Sequence, residues 1–138
     1  MRLWVVPAVI ALWLISRGAA AEAWTVTGIY DGDTMMIVIP YLPRELSRLS
    51  VRIRGIDTPE IGGRAKCDTE RENGDRAKAF MQAQLAGKKV EFTDLGWDKF
   101  GGRIDAVVWV DGKNLGDMLI AAGLARPYDG KGRRAGWC

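Results

Sequence analysis

Histidine is absent from this chain of 138 residues, and only two cysteines are present. Without histidine, the protein cannot use Ser-His-Asp or Cys-His catalysis, a histidine general base or histidine-ligated zinc. Two cysteines are also too few for a cysteine-rich zinc site. An enzyme with this sequence would therefore act through carboxylates, arginine, lysine, tyrosine and backbone groups, or through a metal ion held by oxygen ligands.

The length leaves room for one small domain and not for an enzyme with a separate cofactor-binding half. Hydrophobic residues make up 48% of the chain and charged residues 27%, which is typical of a globular protein. The sequence contains neither internal repeats nor low-complexity segments. We therefore expect a single globular domain.

The one long apolar run lies at the start, over residues 3–15, and is interrupted by Pro7. Arg2 precedes it and small residues follow it, a pattern that predicts a secretory signal over 1–21, cleaved after Ala21. An uncleaved membrane anchor is the alternative, but the run is shorter than the ~20 residues that a spanning helix needs. We expect a working domain over 22–138, secreted or periplasmic and without stable membrane association.

Loss of residues 1–21 changes the charge balance. The chain has 20 basic and 17 acidic residues, and the segment contains two of the basic ones, Arg2 and Arg17. The remaining domain then carries 18 basic and 17 acidic residues, a net charge of +1. A nucleic-acid partner therefore cannot be inferred from overall charge and would need a local basic patch.

Export would place Cys67 and Cys138 in an oxidising compartment. A single disulfide between them is the simplest prediction, and it would join the end of the sequence to its middle. Two free thiols are the alternative.

Hydrophobic periodicity predicts five strands and two helices. Alternating or β-rich segments occupy residues 24–30, 34–39, 50–56, 89–92 and 104–110. A helical period covers 68–85, and a shorter helix runs from Leu115 to Ala122, with Gly123 just after its end. The order β-β-β-α-β-β followed by a helix is that of the OB-fold, a five-stranded, partly open barrel of the α+β class. The fold alone does not establish a function.

Several acidic and basic residues flank the predicted strands. Because the first hairpin and the third strand of such a barrel can be neighbours, we expect Asp33 and Asp57 to meet as ligands of Ca²⁺, with the Thr58 carbonyl as a further ligand. Glu60 would act as the base for an attacking water. Two arginines, Arg52 and Arg103, would bind a phosphate and stabilise its transition state. Together these groups describe phosphodiester hydrolysis.

Each of these features also has a purely structural interpretation. Asp-Gly-Asp at 31–33 is a good hairpin turn, and Asp-Thr-Pro-Glu at 57–60 is a good helix start. Arg52 could lie on the solvated face of a strand, and Arg103 could follow a simple surface turn. The functional interpretation depends on the combination.

The combination resembles the staphylococcal (micrococcal, thermonuclease) nuclease family, over nearly all of residues 25–128. The matching motifs are Asp-Gly-Asp-Thr at 31–34, Val-Arg-Ile-Arg-Gly-Ile-Asp-Thr-Pro-Glu at 51–60, Asp-Lys-Phe-Gly-Gly-Arg at 98–103, and the stretch 111–125 that opens with Asp-Gly and closes with Gly-Leu-Ala. The resemblance implies a nuclease with the OB-type barrel. It also implies cleavage of DNA and RNA to 3′-phosphate ends, with a preference for single-stranded substrate.

The resemblance assigns roles to the same residues. Asp33, Asp57 and the Thr58 carbonyl correspond to the calcium ligands. Glu60 corresponds to the residue that activates water, and Arg52 and Arg103 correspond to the phosphate-binding pair.

The chain departs from the family pattern at the 98–103 motif and in the loop over 40–49, which is longer than in the type member. It has two glycines before Arg103 where one is usual, and Phe100 stands where tyrosine is frequent. Lys99 and Tyr128 are weaker candidates for substrate binding. Tyr128 would stack on a base in one interpretation and serve as a core or surface residue in the other.

The leading hypothesis is an exported, calcium-dependent nuclease acting on DNA and RNA, and nothing in the sequence requires more than a monomer. The alternative is a catalytically silent OB-fold module that binds single strands. A third hypothesis is a structural exported domain that retains only the fold. The complete set of carboxylates and arginines favours the enzyme.

Overall fold

The computed structural model describes residues 23–138, so the predicted signal segment over 1–21 lies outside the described residues. These residues form eight strands and two α-helices, with a short 3-10 turn at Gly62–Arg64. In chain order they are β1 (Thr25–Ile29), β2 (Thr34–Val38), β3 (Arg48–Ile53), β4 (Ile56–Asp57), α1 (Asp68–Leu85), β5 (Val90–Trp97), β6 (Arg103–Val110), β7 (Lys113–Asn114), α2 (Leu115–Ala121) and β8 (Arg126–Pro127).

The main sheet has the strand order β1-β2-β3-β6-β5, and the short β7 pairs with β6. All of its pairs are antiparallel except β3 with β6, which run parallel. The sheet curls so that its two edges approach each other, and the rings of Trp24 and Phe92 lie 5.3 Å apart between their centroids. This curled mixed sheet with two helices confirms the predicted OB-type α+β fold.

The core lies between the inner face of the curled sheet and the two helices. Helix α1 spans the predicted residues and buries Ala77, Met81 and Leu85. Its first turn is capped by Cys67, whose Sγ accepts from the backbone N–H of Glu70 at 3.4 Å. Neither helix within residues 23–138 combines the length and the apolar character that crossing a bilayer would require.

Two strands differ from the sequence prediction. The strand predicted over 50–56 ends at Ile53, because the chain turns at Gly55 with a φ of +85°. Residues Ile56–Asp57 then form β4, which pairs with β8 instead of extending β3. The strand predicted over 89–92 extends to Trp97 as β5, through an irregularity between Thr93 and Gly96. Bulges of this kind interrupt the alternation from which strands are predicted.

Helix α1 holds two loops against the barrel through close contacts with glycine. A Cβ placed on Gly32 would lie 2.6 Å from the Cβ of Ala77 and 2.9 Å from the Thr58 hydroxyl. A Cβ placed on Gly74 would lie 2.3 Å from the carbonyl oxygen of Glu60. The β1–β2 turn and the segment after β4 are therefore pressed together by one helix, which brings their carboxylates to the same side of the barrel.

Candidate active site

The β1–β2 turn presents two buried carboxylates, Asp31 at 7% and Asp33 at 6% exposure. Asp31 folds back on its own turn, and its Oδ1 accepts from the backbone N–H of Asp33 at 3.2 Å. Its Oδ2 accepts from Arg64 at 2.9 Å. Local bonds of this kind favour aspartate in turns. The turn therefore fixes Asp33 in place while Asp31 is neutralised by an arginine from a different loop.

Asp33 and Arg52 come together across two neighbouring strands. Arg52 pairs in register with Thr34, so its guanidinium reaches back over the turn. Its Nη2 lies 3.4 Å from Asp33 Oδ2 and donates to the carbonyl of Ile56 at 3.0 Å. Burial, and then the neighbouring Asp31 carboxylate, raise the pKa of Asp33 to about 7. Burial therefore outweighs the contact with Arg52, and the charged form of Asp33 is disfavoured.

Asp57, the last residue of β4, and Thr58, which follows it, are each 4% exposed. The alternative interpretation of 57–60 as a helix start is wrong, because β4 ends at Asp57 and helix α1 does not begin until Asp68. Instead the segment is held by α1, since the backbone N–H of Glu60 donates to Glu70 Oε1 at 3.3 Å. Its shape follows from that helix and from the pairing of β4 with β8.

Two arginines contact the carboxylate of Glu60, one at each oxygen. Arg64 Nε lies 3.1 Å from Glu60 Oε2, and Arg134 lies 3.2 Å from Oε1 through both of its terminal nitrogens. Arg64 also links Glu60 to Asp31 and lies over the ring of Tyr30, at 4.9 Å from its centroid. The carboxylate of Glu60 is therefore held in one orientation by two separate loops.

Arg103 opens β6 and is held by Asp98 from the other side of the β5–β6 turn. Its Nε and Nη2 donate to Asp98 Oδ2 at 3.0 and 2.7 Å. Gly101 and Gly102 both adopt positive φ, at 67° and 61°, so the extra glycine is absorbed within this turn. The Arg103 guanidinium also lies 5.2 Å from the centroid of the Phe100 ring, which is 73% exposed.

The turns and loops described above enclose one polar cleft of about 610 Å³. Its size falls within the roughly 300–1,000 Å³ usual for ligand sites. Seven of the eight residues predicted for metal or substrate line it: Asp33, Arg52, Thr58, Glu60, Lys99, Arg103 and Tyr128.

The eighth predicted residue, Asp57, lines an adjoining cavity that shares Thr58, Glu60 and Arg134 with the cleft. The sequence predicted that Asp33 and Asp57 lie together. The structure places them on either side of a shared boundary.

Residues 129–138, which we call the strap, cover that boundary. Arg134 Nη1 lies 2.8 Å from Asp57 Oδ1, and the indole N–H of Trp137 donates to Asp57 Oδ2 at 3.1 Å. The predicted disulfide between Cys67 and Cys138 is present and fixes the end of the strap beside α1. The Tyr128 hydroxyl donates to the carbonyl of Gly132 at 3.0 Å, so this tyrosine also supports the strap.

Sequence reasoning missed the strap as part of the site, and it missed Asp31, Arg64 and Asp98. The disulfide prediction contained a usable signal. Cys67 lies seven positions after Glu60, so a bridge from Cys67 to Cys138 limits the distance between the basic end of the sequence and that glutamate to the span of a short segment. The contacts of Arg64 had no comparable signal, because they depend on the path of the loop.

The raised pKa of Asp33 predicts a pH effect in metal-free protein. Since its folded pKa lies near 7 and above the ordinary 3.8, the stability due to its protonated form is complete below pH 4. That stability is lost as the pH rises through 7, by up to ~1.4 kcal/mol per unit. Asp33→Asn should therefore raise the free energy of unfolding in EDTA at pH 8 by at least about 1 kcal/mol.

Urea unfolding of both proteins at pH 4 and pH 8 measures this effect. Asp75→Asn, on the exposed face of α1, is the control and should change little at either pH. Equal pH dependence in the wild type and Asp33→Asn would show that Asp33 is not the group responsible.

The fold and cleft together define an OB-type barrel domain whose cleft combines buried carboxylates with arginines. Within residues 23–138, no three carboxylate, cysteine or histidine side chains cluster closely enough to hold a metal ion by themselves. A metal bound here would need backbone carbonyl and water oxygens beside two carboxylates.

Comparison with known proteins identifies the family. A family model described as Staphylococcal nuclease homologue matches residues 50–135, and the chain belongs to that family. It is 30% identical over 106 residues to a protein of Escherichia coli O157:H7 named "Uncharacterized endonuclease", covering 75% of this chain and 60% of that protein. It is 28% identical over 107 residues to "Probable endonuclease LCL3" of Kluyveromyces lactis, covering 74% of this chain and 39% of that protein. The chain thus spans less than two thirds of either relative.

Proposed function

We propose that this chain is an exported, calcium-dependent nuclease that hydrolyses phosphodiester bonds of DNA and RNA and leaves 3′-phosphate ends. The observation that carries the proposal is the arrangement of Asp33, Arg52, Glu60 and Arg103 around one cleft. Membership of the nuclease family and the endonuclease names of the relatives support it. The disulfide supports the export of the domain, since such bonds persist in oxidising compartments.

The residues present fit a calcium ion. Asp33 is a buried carboxylate with a raised pKa and one arginine at 3.4 Å, so an added cation would relieve its unfavourable charge. Asp57 and the Thr58 carbonyl, which adjoin the cleft, complete a set of hard oxygen donors. Calcium held by these groups would supply positive charge to a phosphate oxygen of the substrate.

The protein's own side chains then perform the hydrolysis. Arg52 and Arg103 carry planar, permanent charges suited to the phosphate and to the charge of its five-coordinate transition state. Glu60 accepts the proton of the attacking water. As that water oxygen joins phosphorus, the bond from phosphorus to the 5′ oxygen breaks, and the departing 5′ oxygen takes up a proton from solvent. One product ends in a 3′-phosphate and the other in a 5′-hydroxyl.

Aromatic groups at the cleft support a preference for single strands. Phe100 lies exposed at the cleft between Lys99 and Arg103, and the cation of each is 5.2 Å from its ring centroid. Exposed rings beside cations suit unpaired bases with phosphates next to them. Tyr128, which also lines the cleft, would add a second ring. We propose a monomer, because one chain supplies every group used.

The test is cleavage of a labelled single-stranded DNA and of an RNA by the purified full-length protein with calcium. We expect both to be cut, and the new 3′ ends to become extendable by a polymerase only after phosphatase treatment. Unblocked 3′ ends would contradict the proposed chemistry. Binding of the DNA and the RNA without cleavage of either would instead identify a catalytically silent binding module.

A further inference from the structure

The strap (residues 129–138) is anchored to the barrel at its end. Cys138 is joined to Cys67 beside the first turn of α1. The preceding Trp137 is covered by the guanidinium of Arg126, which lies 3.8 Å from the centroid of the indole ring. The same arginine donates to the carbonyl of Gly136 at 2.6 Å. A covalent bond, a cation–π contact and a hydrogen bond therefore fix the indole in one place.

The strap uses both oxygens of Asp57. Trp137 donates to Oδ2 at 3.1 Å, and Arg134 contacts Oδ1 at 2.8 Å. We propose that Trp137 is a positioning residue that orients Asp57 for calcium, and that Arg134 is a displaceable counter-ion holding the place of that calcium. This inference depends on the proposed function, since it concerns the same carboxylate and the same ion.

The two contacts differ in charge. The indole is neutral, so its hydrogen bond to one oxygen remains favourable when a cation binds the other. It also leaves Asp57 a full negative charge. Hydrogen bonds from neighbouring groups orient metal ligands in this way, and their loss usually costs about 10–100-fold in metal affinity. Trp137 therefore has the properties of a permanent partner of Asp57.

Arg134 has the opposite properties. Its guanidinium carries the same sign of charge as calcium and cannot share Asp57 Oδ1 with it at low cost. It is also in contact with Glu60 Oε1 at 3.2 Å, the carboxylate proposed to accept a proton. Its side chain is 46% exposed and lines both the cleft and the cavity that contains Asp57. Its departure would free Asp57 Oδ1 and Glu60 Oε1, while Trp137 and Arg64 would still contact the other oxygen of each carboxylate.

The test is calcium binding by the full-length protein without nucleic acid, measured by isothermal titration calorimetry with calcium chloride. Trp137→Phe keeps an aromatic ring for Arg126 and removes the indole N–H that donates to Asp57, and we expect about tenfold weaker binding. Arg134→Gln removes the competing charge, and we expect binding at least about threefold tighter. Arg44→Gln, which removes the same charge from an exposed arginine on the loop between β2 and β3, outside both the cleft and the cavity, should bind as the wild type does.

A fourth variant tests the anchor. Cys67→Ser combined with Cys138→Ser removes the disulfide, while serine at 67 can still cap α1. We expect weakened calcium binding, with little further loss when Trp137→Phe is added, because both changes release the same indole. Thermal unfolding of each variant establishes that the fold is retained.

The outcomes separate this inference from the function on which it depends. If the wild type, Trp137→Phe and Arg134→Gln all bind calcium with the same affinity, the role of the strap is overturned. The nuclease proposal is then left intact. Weakened binding in both variants would show that Arg134 assists the ion and would overturn its role as a competitor. A wild type that does not bind calcium would overturn both proposals.

Discussion

Glu60→Gln should lower kcat on single-stranded DNA by about 10²–10⁴-fold, the range typical of a lost general base. Glutamine keeps the size of the side chain and one oxygen for Arg64 or Arg134, but it cannot accept a proton from water. Substrate binding should change little, because the phosphate is assigned to Arg52 and Arg103. The measurement is steady-state cleavage, with KM and kcat separated and strand binding determined in parallel.

Glu45→Gln is the matched control, since Glu45 lies exposed on the loop between β2 and β3. It removes the same charge from the protein without altering the cleft, and its kcat should equal that of the wild type. Unchanged kcat in Glu60→Gln would remove Glu60 from the mechanism. A large rise in KM with unchanged kcat would assign Glu60 to substrate binding.

Arg52→Lys should lower kcat by about 10²-fold or more, the usual loss for one group that stabilises transition-state charge. Lysine keeps the positive charge but loses the planar guanidinium, which can contact two phosphate oxygens at once. Arg52 is also held in place by Asp33 at 3.4 Å and the Ile56 carbonyl at 3.0 Å. A lysine could not make this set of contacts with the same geometry.

The control is Arg48→Lys, since Arg48 lies on the same strand with an exposed side chain. Its activity should match the wild type, and thermal unfolding should establish that Arg52→Lys is folded. Activity of Arg52→Lys within about threefold of the wild type would mean that a point charge at this position suffices. The bidentate role assigned to Arg52 would then be wrong.

Much of this arrangement could be predicted because the relevant sequence signals are local. The Asp-Gly-Asp turn, the alternation around Arg52 and the helical period over 68–85 each depend on a few neighbouring residues. The structure contains the turn, the strand and the helix, and it brings Asp33 and Arg52 into contact. The extra glycine before Arg103 did not remove that arginine from the cleft, because the turn adopts positive φ at both glycines.

The missed contacts are long-range and depend on the paths of irregular segments. Arg134 meets Asp57 across 77 positions, and Trp137 meets it across 80. No periodicity describes residues 129–138, and their basic composition is equally consistent with a solvated end. The disulfide is the exception, since two cysteines in an oxidising compartment predict a contact at any separation.

The two small deviations in the strands have one physical cause. Sequence patterns follow the alternation of side chains, whereas strand ends follow backbone geometry and partners. Gly55 ends β3 before the hydrophobic alternation ends, and Asp94, with a φ of 51°, lies within β5 where alternation is lost. The first of these deviations matters for function, because the turn at Gly55 separates β3 from β4 and places Asp57 under the strap.

Calcium dependence of cleavage is the most direct test of the central claim. The measurement is the initial rate of cleavage of single-stranded DNA by the full-length wild type, as free calcium is raised from EDTA-buffered solution. We predict no detectable cleavage rate in EDTA and a saturable rise in rate with free calcium. Adding calcium in excess of the EDTA should restore the rate of an inhibited sample. A rate that is the same with calcium and with EDTA would contradict the assignment of Asp33, Asp57 and Thr58 to a calcium site.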